Sequence, residues 1–346
     1  MPIAQSPMVS VVVPLFNEED VLKAFQSRLT AVMEKLQHPW EVIYVNDGSK
    51  DRSLEILKEL SNRESQVSIV DLSRNFGKEV ALTAGLDHAK GDAVIVIDVD
   101  LQDPPEVIPD LIAGWYEGFD VVYAQRRKRE GETKMKRLTA AVFYRVMQHI
   151  GGSVRLPPNT GDFRLMSRRS LDALLQMRER HRFMKGLFAW VGFPSKAVLY
   201  DRAPRAAGTT KWNYRRLWNL SIEGITSFTV IPLKIATYLG AAVAVFALIF
   251  AAHIVIKTLM FSNPVAGYAS LMAVMLLLGG VQLLTLGIIG EYLGRVFNEA
   301  KGRPLYILQQ YIPAAIHFKA PQGELNSVKV ESTLSMESFS MITNGH

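Results

Sequence analysis

The stretch VIVIDVDLQDPPE (residues 94–106) ends a run of apolar residues in two carboxylates, Asp98 and Asp100, spaced two apart. If the strand runs through 93–98, an alternating pleat puts both acids on one side. Hard divalent cations take carboxylate and carbonyl oxygen and often keep phosphate as a further ligand. Asp98, Asp100 and Gln102 are therefore candidate ligands of Mg²⁺ or Mn²⁺ held against a diphosphate. A lone Asp-x-Asp is often a solvated turn, but three more polar clusters follow apolar runs here: Asn17 with Glu18, Asn46 with Asp47 and Ser49, and Arg74 with Asn75. The segment 126–137 adds Arg126, Arg127, Lys128, Arg129, Lys134, Lys136 and Arg137, cations suited to phosphate oxygens. Neither G-x-x-x-x-G-K-[ST] nor G-x-G-x-x-G occurs, which argues against a Walker nucleotidase or a dinucleotide oxidoreductase.

These clusters need elements to position them. Short β-branched runs at 9–15, 41–45, 67–72 and 93–98 alternate with helical spacing at 19–37, 53–62 and 78–89. Such alternation predicts an α/β fold, a mostly parallel sheet with helices on both faces. Ligands of such sheets bind beyond the carboxyl ends of the strands, where all four clusters fall.

The 346 residues carry a net charge of +6 and no cysteine, which excludes a disulfide scaffold, cysteine-ligated zinc, iron–sulfur clusters and thiol catalysis. Mean hydropathy is +0.11 although 21% of residues are charged, so the apolar residues must be concentrated. Residues 235–256 and 265–290 contain no Asp, Glu, Lys or Arg. At about 1.5 Å per residue the first run makes about 33 Å of helix, enough to cross a bilayer core. The pair reads as a transmembrane hairpin, with Lys211, Arg215, Arg216 and Lys234 before it and Arg295, Lys301 and Arg303 after it. The positive-inside bias places both termini in the cytoplasm. The beginning of the sequence has no basic region of the signal-peptide kind. Residues 211–228 place Tyr214, Leu217, Trp218, Ile222, Ile225 and Phe228 on one helical face, an amphipathic helix suited to the headgroup layer. Beyond about residue 321 the composition is that of a disordered tail. The expected organisation is a catalytic domain at 1–210, an interfacial helix at 211–231, a hairpin at 232–294 and a cytoplasmic C-terminal segment at 295–346.

VVVPLFNEE, VNDGSKD, LSRNFGK, DVDLQDPPE and TGDFRLMSR, followed by R-x-x-G-x-T-K-W and the apolar hairpin, resemble family 2 inverting glycosyltransferases. The chain is most similar to the polyprenyl-phosphate sugar transferases, the type that includes dolichyl-phosphate mannose synthases and bactoprenol glucosyltransferases. The resemblance implies the nucleotide-sugar-binding fold termed GT-A and a site at the cytoplasmic (inner) membrane. It also implies transfer of a sugar, by analogy glucose from UDP-glucose, to polyprenyl (undecaprenyl) phosphate for cell-envelope glycan modification. Its partners would be nucleotide sugar, polyprenyl phosphate and membrane lipid, with homo-oligomers allowed and no nucleic acid. Carried over by motif, Pro14, Asn17, Glu18 and Asp47 would frame the nucleotide, and Asp98, Asp100 and Gln102 the metal and diphosphate. Arg126 and Arg137 would meet the donor and acceptor phosphates. By position, Arg205 and Lys211, on the stretch leading to the amphipathic helix, are candidate ligands of the acceptor phosphate, with attraction to anionic lipid as the alternative. The family's paired Asp of the second motif is Asn46-Asp47 here, which favours Asp47 for base or ribose contact, with capping of a helix N-terminus as its structural alternative.

Asp162, in TGDFRL, sits where relatives acting on alcohols carry a catalytic base. A phosphate monoester, with a second pKa of about 6, arrives already ionised. Asp162 is therefore expected to orient the sugar or Arg164 rather than to remove a proton. Two rivals differ in sequence. A processive polysaccharide synthase would carry Q-x-x-R-W and further spans, whereas this chain has RHRFMKG and two. A transporter or flippase subunit would need charged residues inside its spans.

Overall fold

The computed structural model describes residues 6–127, 157, 159–201, 231–261 and 267–315. It forms an eight-stranded sheet in the order β7-β5-β6-β4-β1-β2-β3-β8. The strands are β1 (Val9–Leu15), β2 (Trp40–Asn46), β3 (Val67–Leu72), β4 (Ala93–Val96), β5 (Val121–Arg126), β6 (Thr160–Ser167), β7 (Ser195–Tyr200) and β8 (Leu308–Ile312). The helices are α1 (Leu22–Lys35), α2 (Ser53–Arg63), α3 (Lys78–His88), α4 (Ile108–Tyr116), α5 (Arg168–Leu175), α6 (Met184–Trp190), α7 (Ile231–Phe261) and α8 (Tyr268–Ala300).

The expected alternation is present from β1 to β4, and β3, β2, β1 and β4 are mutually parallel. The sheet as a whole is mixed, because β6 runs antiparallel to both β4 and β5 and β8 runs antiparallel to β3. Both faces are buried, so the central strands read as continuous apolar runs. Val9, Val11 and Val13 of β1 join a core with Phe25, Leu29, Leu57, Ile108 and Leu111. Val12 points to the other face, against Ala81, Leu82, Leu171 and Met184. On that face α3 lies unusually close to the sheet at Gly85, where an added Cβ would come within 2.8 Å of Val45 Cγ2 and closer still to Val12 Cγ1.

After the sheet come two long helices, α7 and α8, which pack against each other. Many of their side chains face outward, among them Tyr238, Ile249, Leu283 and Leu286. Among the described residues one stretch, Leu277–Ala300, is long and apolar enough to cross a membrane. The chain then returns to the sheet, where β8 pairs with β3. The sequence reading assigned no element to this stretch. The amphipathic helix expected at 211–228, Arg137, Arg205, Lys211 and the tail from 321 lie outside the described residues.

Candidate active site

The carboxyl ends of β1 and β2 are joined by reciprocal hydrogen bonds between the two loops that follow them. The Asn17 N–H donates to Ser49 Oγ at 3.0 Å, and the Lys50 N–H donates back to Asn17 Oδ1 at 2.8 Å. Asn17 holds φ of 54°, a left-handed conformation that asparagine tolerates better than most residues. The Glu18 N–H donates to Ser53 Oγ and the Glu19 N–H to Asp51 Oδ2, tying the first loop to the start of α2. Pro14, without an N–H, is accommodated in a central strand because it lies beyond Val12, the last residue of β1 in register with β4. Thus the FNEE and NDGSKD motifs form one shelf.

Asp47 reaches the neighbouring loop. Its Oδ1 accepts the Phe76 N–H at 2.7 Å and its Oδ2 the Gly77 N–H at 2.9 Å, at the entrance to α3. Burial pushes its carboxyl up, while those two N–H groups pull it down. The helix entrance it braces is that of α3 rather than α2. Gly48, at φ of +66°, lets this turn pass against Arg74 and Asn75, where a Cβ would lie 2.6 Å from the Asn75 nitrogen.

The side chain that dominates the far end of this loop is Lys78, the first residue of α3. Its Nζ lies 2.7 Å from Asp98 Oδ1 and 2.8 Å from Asp98 Oδ2, and 2.7 Å from Asp162 Oδ2. Burial disfavours the ammonium, but Asp162 and then Asp98 outweigh it and hold its pKa well above the ordinary lysine value. Asp162 is 8% exposed, and its buried Oδ1 has no hydrogen-bond partner among the described residues. Burial opposes ionisation of Asp162, yet Lys78 and Lys185 bring its pKa well below the usual carboxylate range. Asp98 moves the other way: burial raises it, Lys78 pulls against that, and Asp162 and Asp103 add to the rise. One lysine therefore serves two crowded carboxylates.

The antiparallel course of β6 makes this meeting possible. Val96 at the end of β4 pairs with Arg164, so Asp162, two residues earlier on β6, stands beside Asp98, two residues beyond Val96. The expected strand 93–98 stops at Val96. The pleat argument for Asp98 and Asp100 therefore fails, because Asp100 lies in a turn. There Asp100 Oδ1 accepts the Gln102 N–H at 3.1 Å, across Leu101 at φ of 58°. A second correction concerns the partner of Asp162. The Arg164 guanidinium donates to the backbone carbonyls of Gly161 at 2.9 Å and Asp162 at 3.3 Å, and lies 3.8 Å from the Phe188 ring centre. Burial lowers its pKa to about 10. The Asp162 carboxylate is paired with Lys78 instead.

Arg126, at the end of β5, borders the same rim. Its Nε donates to the Tyr200 hydroxyl at 3.1 Å, its Nη2 is 3.7 Å from Asp103, and Tyr200 in turn donates to Asp103. Gly161 stands against this group, since a Cβ there would be 3.2 Å from Arg126 Nη2. Lys78, Asp103 and Tyr200 received no role from the sequence. Lys78 lay within a quoted motif and Asp103 within a strand-end cluster, but only the fold shows what they touch.

For a divalent metal, the chemistry of the donors is suitable: oxygen ligands only, two carboxylates crowded on one lysine, and a buried Asp162 oxygen that has no hydrogen-bond partner among the described residues. Among the described residues no three His, Asp or Glu side chains are grouped to hold a metal by themselves. The residues fit an ion bound by one or two carboxylates whose remaining ligands are phosphate and water.

Comparison with known proteins places this geometry in a family. A model described as Glycosyl transferase family 2 matches residues 10–175, and one described as GtrB C-terminal hairpin matches residues 231–296. An uncharacterized glycosyltransferase of Synechocystis is 52% identical over 88% of this chain and 97% of its own length. A prophage-derived bactoprenol glucosyl transferase of Shigella flexneri is 47% identical over 87% of this chain and 97% of its own. Among solved structures, glucosyl-3-phosphoglycerate synthase of Mycobacterium tuberculosis aligns with 63% of this chain and 76% of its own, at 20% identity and a TM-score of 0.45. With 52% identity to a relative over 310 residues and nearly that relative's whole length, the chain belongs to glycosyltransferase family 2.

Proposed function

We propose that this glycosyltransferase moves a sugar, with glucose from UDP-glucose as the first candidate, onto polyprenyl phosphate at the cytoplasmic face of the membrane, with inversion at the anomeric carbon. The observation that carries the reading is the Lys78–Asp98–Asp162 cluster at the strand ends of a chain whose following helices expose apolar side chains, Leu283 at 73%. The relatives named as bactoprenol glucosyl transferases support it.

A lipid phosphate oxygen attacks the anomeric carbon, the bond from that carbon to the nucleoside diphosphate breaks, and its electron pair leaves with the diphosphate. The attacking phosphate is already ionised near neutral pH, so no side chain must take a proton. Asp162, held ionised by Lys78, orients the sugar. The loops of Pro14, Asn17, Glu18 and Asp47 frame the nucleotide. Arg126, fixed by Tyr200 and Asp103, meets phosphate charge with a pre-oriented guanidinium. A divalent ion on Asp98, Asp100 and Gln102 would neutralise charge on the departing diphosphate. Arg137, Arg205 and Lys211 are proposed phosphate ligands on sequence grounds.

Detergent-purified protein given radiolabelled UDP-glucose and polyprenyl phosphate should yield a labelled, organic-extractable product, and the matching polyprenol should yield none. A product from polyprenol at a comparable rate, or label transferred only to a growing water-soluble polymer, overturns the reading. A panel of other nucleotide sugars tests the donor separately.

A further inference from the structure

The last turn of α8 ends on the catalytic unit, and one side chain there reaches three backbone carbonyls. An α-helix leaves its last four carbonyls without intrahelical partners. In α8 the Phe297 and Glu299 carbonyls accept the N–H groups of Lys301 and Gly302 at 3.2 Å, with Gly302 at φ of +59°, a left-handed helix stop. Arg180, on the loop between α5 and α6, adds further donors. Its Nη1 donates to the Asn298 and Glu299 carbonyls, each at 2.7 Å, and its Nη2 donates to the Arg303 carbonyl. Its own N–H donates to Glu299 Oε1 at 2.6 Å, and the neighbouring His181 ring meets the Asn298 amide at 3.3 Å. A guanidinium suits this place: it carries several donors in one plane, and its charge meets the negative end of the helix dipole.

The loop that carries Arg180 is anchored inward as well. Four residues on, the Met184 N–H donates to Glu79 Oε2 at 2.9 Å, and Glu79 follows Lys78, the residue between Asp98 and Asp162. The path from the end of the apolar helix to the reacting groups is therefore a short series of hydrogen-bonded segments.

We propose that Arg180 is a positioning residue that fixes the height and tilt of the active site relative to the hairpin, and so relative to the membrane plane where a lipid-linked phosphate emerges. This rests on the acceptor reading above. The partners named for Arg180 all lie at the end of α8 and just beyond it, and the role assigned to it is exerted through them. Its loss lets the end of α8 fray and the catalytic unit tilt, which moves the cluster away from the acceptor phosphate and leaves the nucleotide shelf intact.

The test uses full-length protein in phospholipid vesicles containing polyprenyl phosphate. Arg180→Ala should raise the KM for polyprenyl phosphate about tenfold or more and leave UDP affinity, measured by calorimetry, within twofold. The chain has no cysteine, so a short bis-maleimide bridge between His181→Cys and Asn298→Cys can be installed in the Arg180→Ala background. The bridge should restore the acceptor KM. An unchanged acceptor KM, a parallel loss of UDP affinity, or a bridge that restores nothing overturns the proposal. Should wild-type protein load no sugar onto polyprenyl phosphate, the acceptor reading fails, and hydrogen exchange still decides the junction. The Lys301 and Gly302 amides should exchange faster in Arg180→Ala, and unchanged exchange would refute the role of Arg180.

Discussion

Lys78 is the residue whose replacement is most informative. It is the cation between Asp98 and Asp162, and its side chain is 45% exposed, so water screens part of what it contributes. Removing one partner of an ion pair leaves the other charge uncompensated, the costlier half of the change. Lys78→Met should lower the transfer rate by about a hundredfold, because Asp162 loses what keeps it ionised and oriented, and Lys78→Arg should recover part of it. A second readout is independent of turnover. Lys78 competes with any cation for Asp98, so Lys78→Met should bind Mn²⁺ about tenfold more tightly than wild type in an electron paramagnetic resonance titration without nucleotide, a gain of about 1.4 kcal/mol. Equal Mn²⁺ affinity would mean that Lys78 and the metal do not share Asp98.

The joint between α3 and α6 carries a pH dependence that can be assigned to one group. Burial raises the Glu79 carboxyl to about 7, with Asp162 adding to the rise and the Met184 N–H opposing it. A carboxyl raised in the folded state binds its proton more tightly there than in the unfolded chain, where the ordinary value is 4.5. The stability it contributes is complete below about 4.5 and is lost as pH climbs toward about 7. The Tm of wild type should therefore fall across that interval, and Glu79→Gln, whose amide oxygen can still accept the Met184 N–H, should fall less steeply. Parallel slopes would remove Glu79 as the source. The sequence made α3 legible, because β1 through α3 alternate in period with clear turn residues between them. It did not reveal β5 to β8. β6 enters between two strands that precede it in the chain, and β8 pairs with β3 from more than two hundred residues away. Such pairings follow from tertiary contact, which no local period encodes. The same limit explains the site: Asp98, Asp100 and Asp162 stood out by motif, whereas the partnership of Lys78 with Asp98 and Asp162 depends on β6 running antiparallel to β4.

At the scale of the whole molecule, the sheet constrains how the helices can meet a membrane. β8 is hydrogen-bonded to β3 and follows α8 after residues 301–307. Seven extended residues reach about 24 Å, short of the roughly 30 Å of a bilayer's hydrocarbon core. The C-terminal end of α8 must then lie on the same side as the sheet. Between β7 and α7 the sequence carries Arg202, Arg205, Lys211, Arg215 and Arg216, which leaves no uncharged run long enough for another span. The number of crossings between β7 and β8 is therefore even, and α7 and α8, at 31 and 33 residues, are each long enough to supply one. We expect both helices to cross, with the sheet in the cytoplasm and Gly267, at the start of α8, outside. In the cysteine-free chain, Gly267→Cys should react with a membrane-impermeant maleimide in intact cells. Gln309→Cys, on the exposed strand β8, should react only after the membrane is opened. Labelling of both positions from one side would mean that neither helix crosses, and the apolar faces of α7 and α8 would then have to be covered by protein instead of lipid.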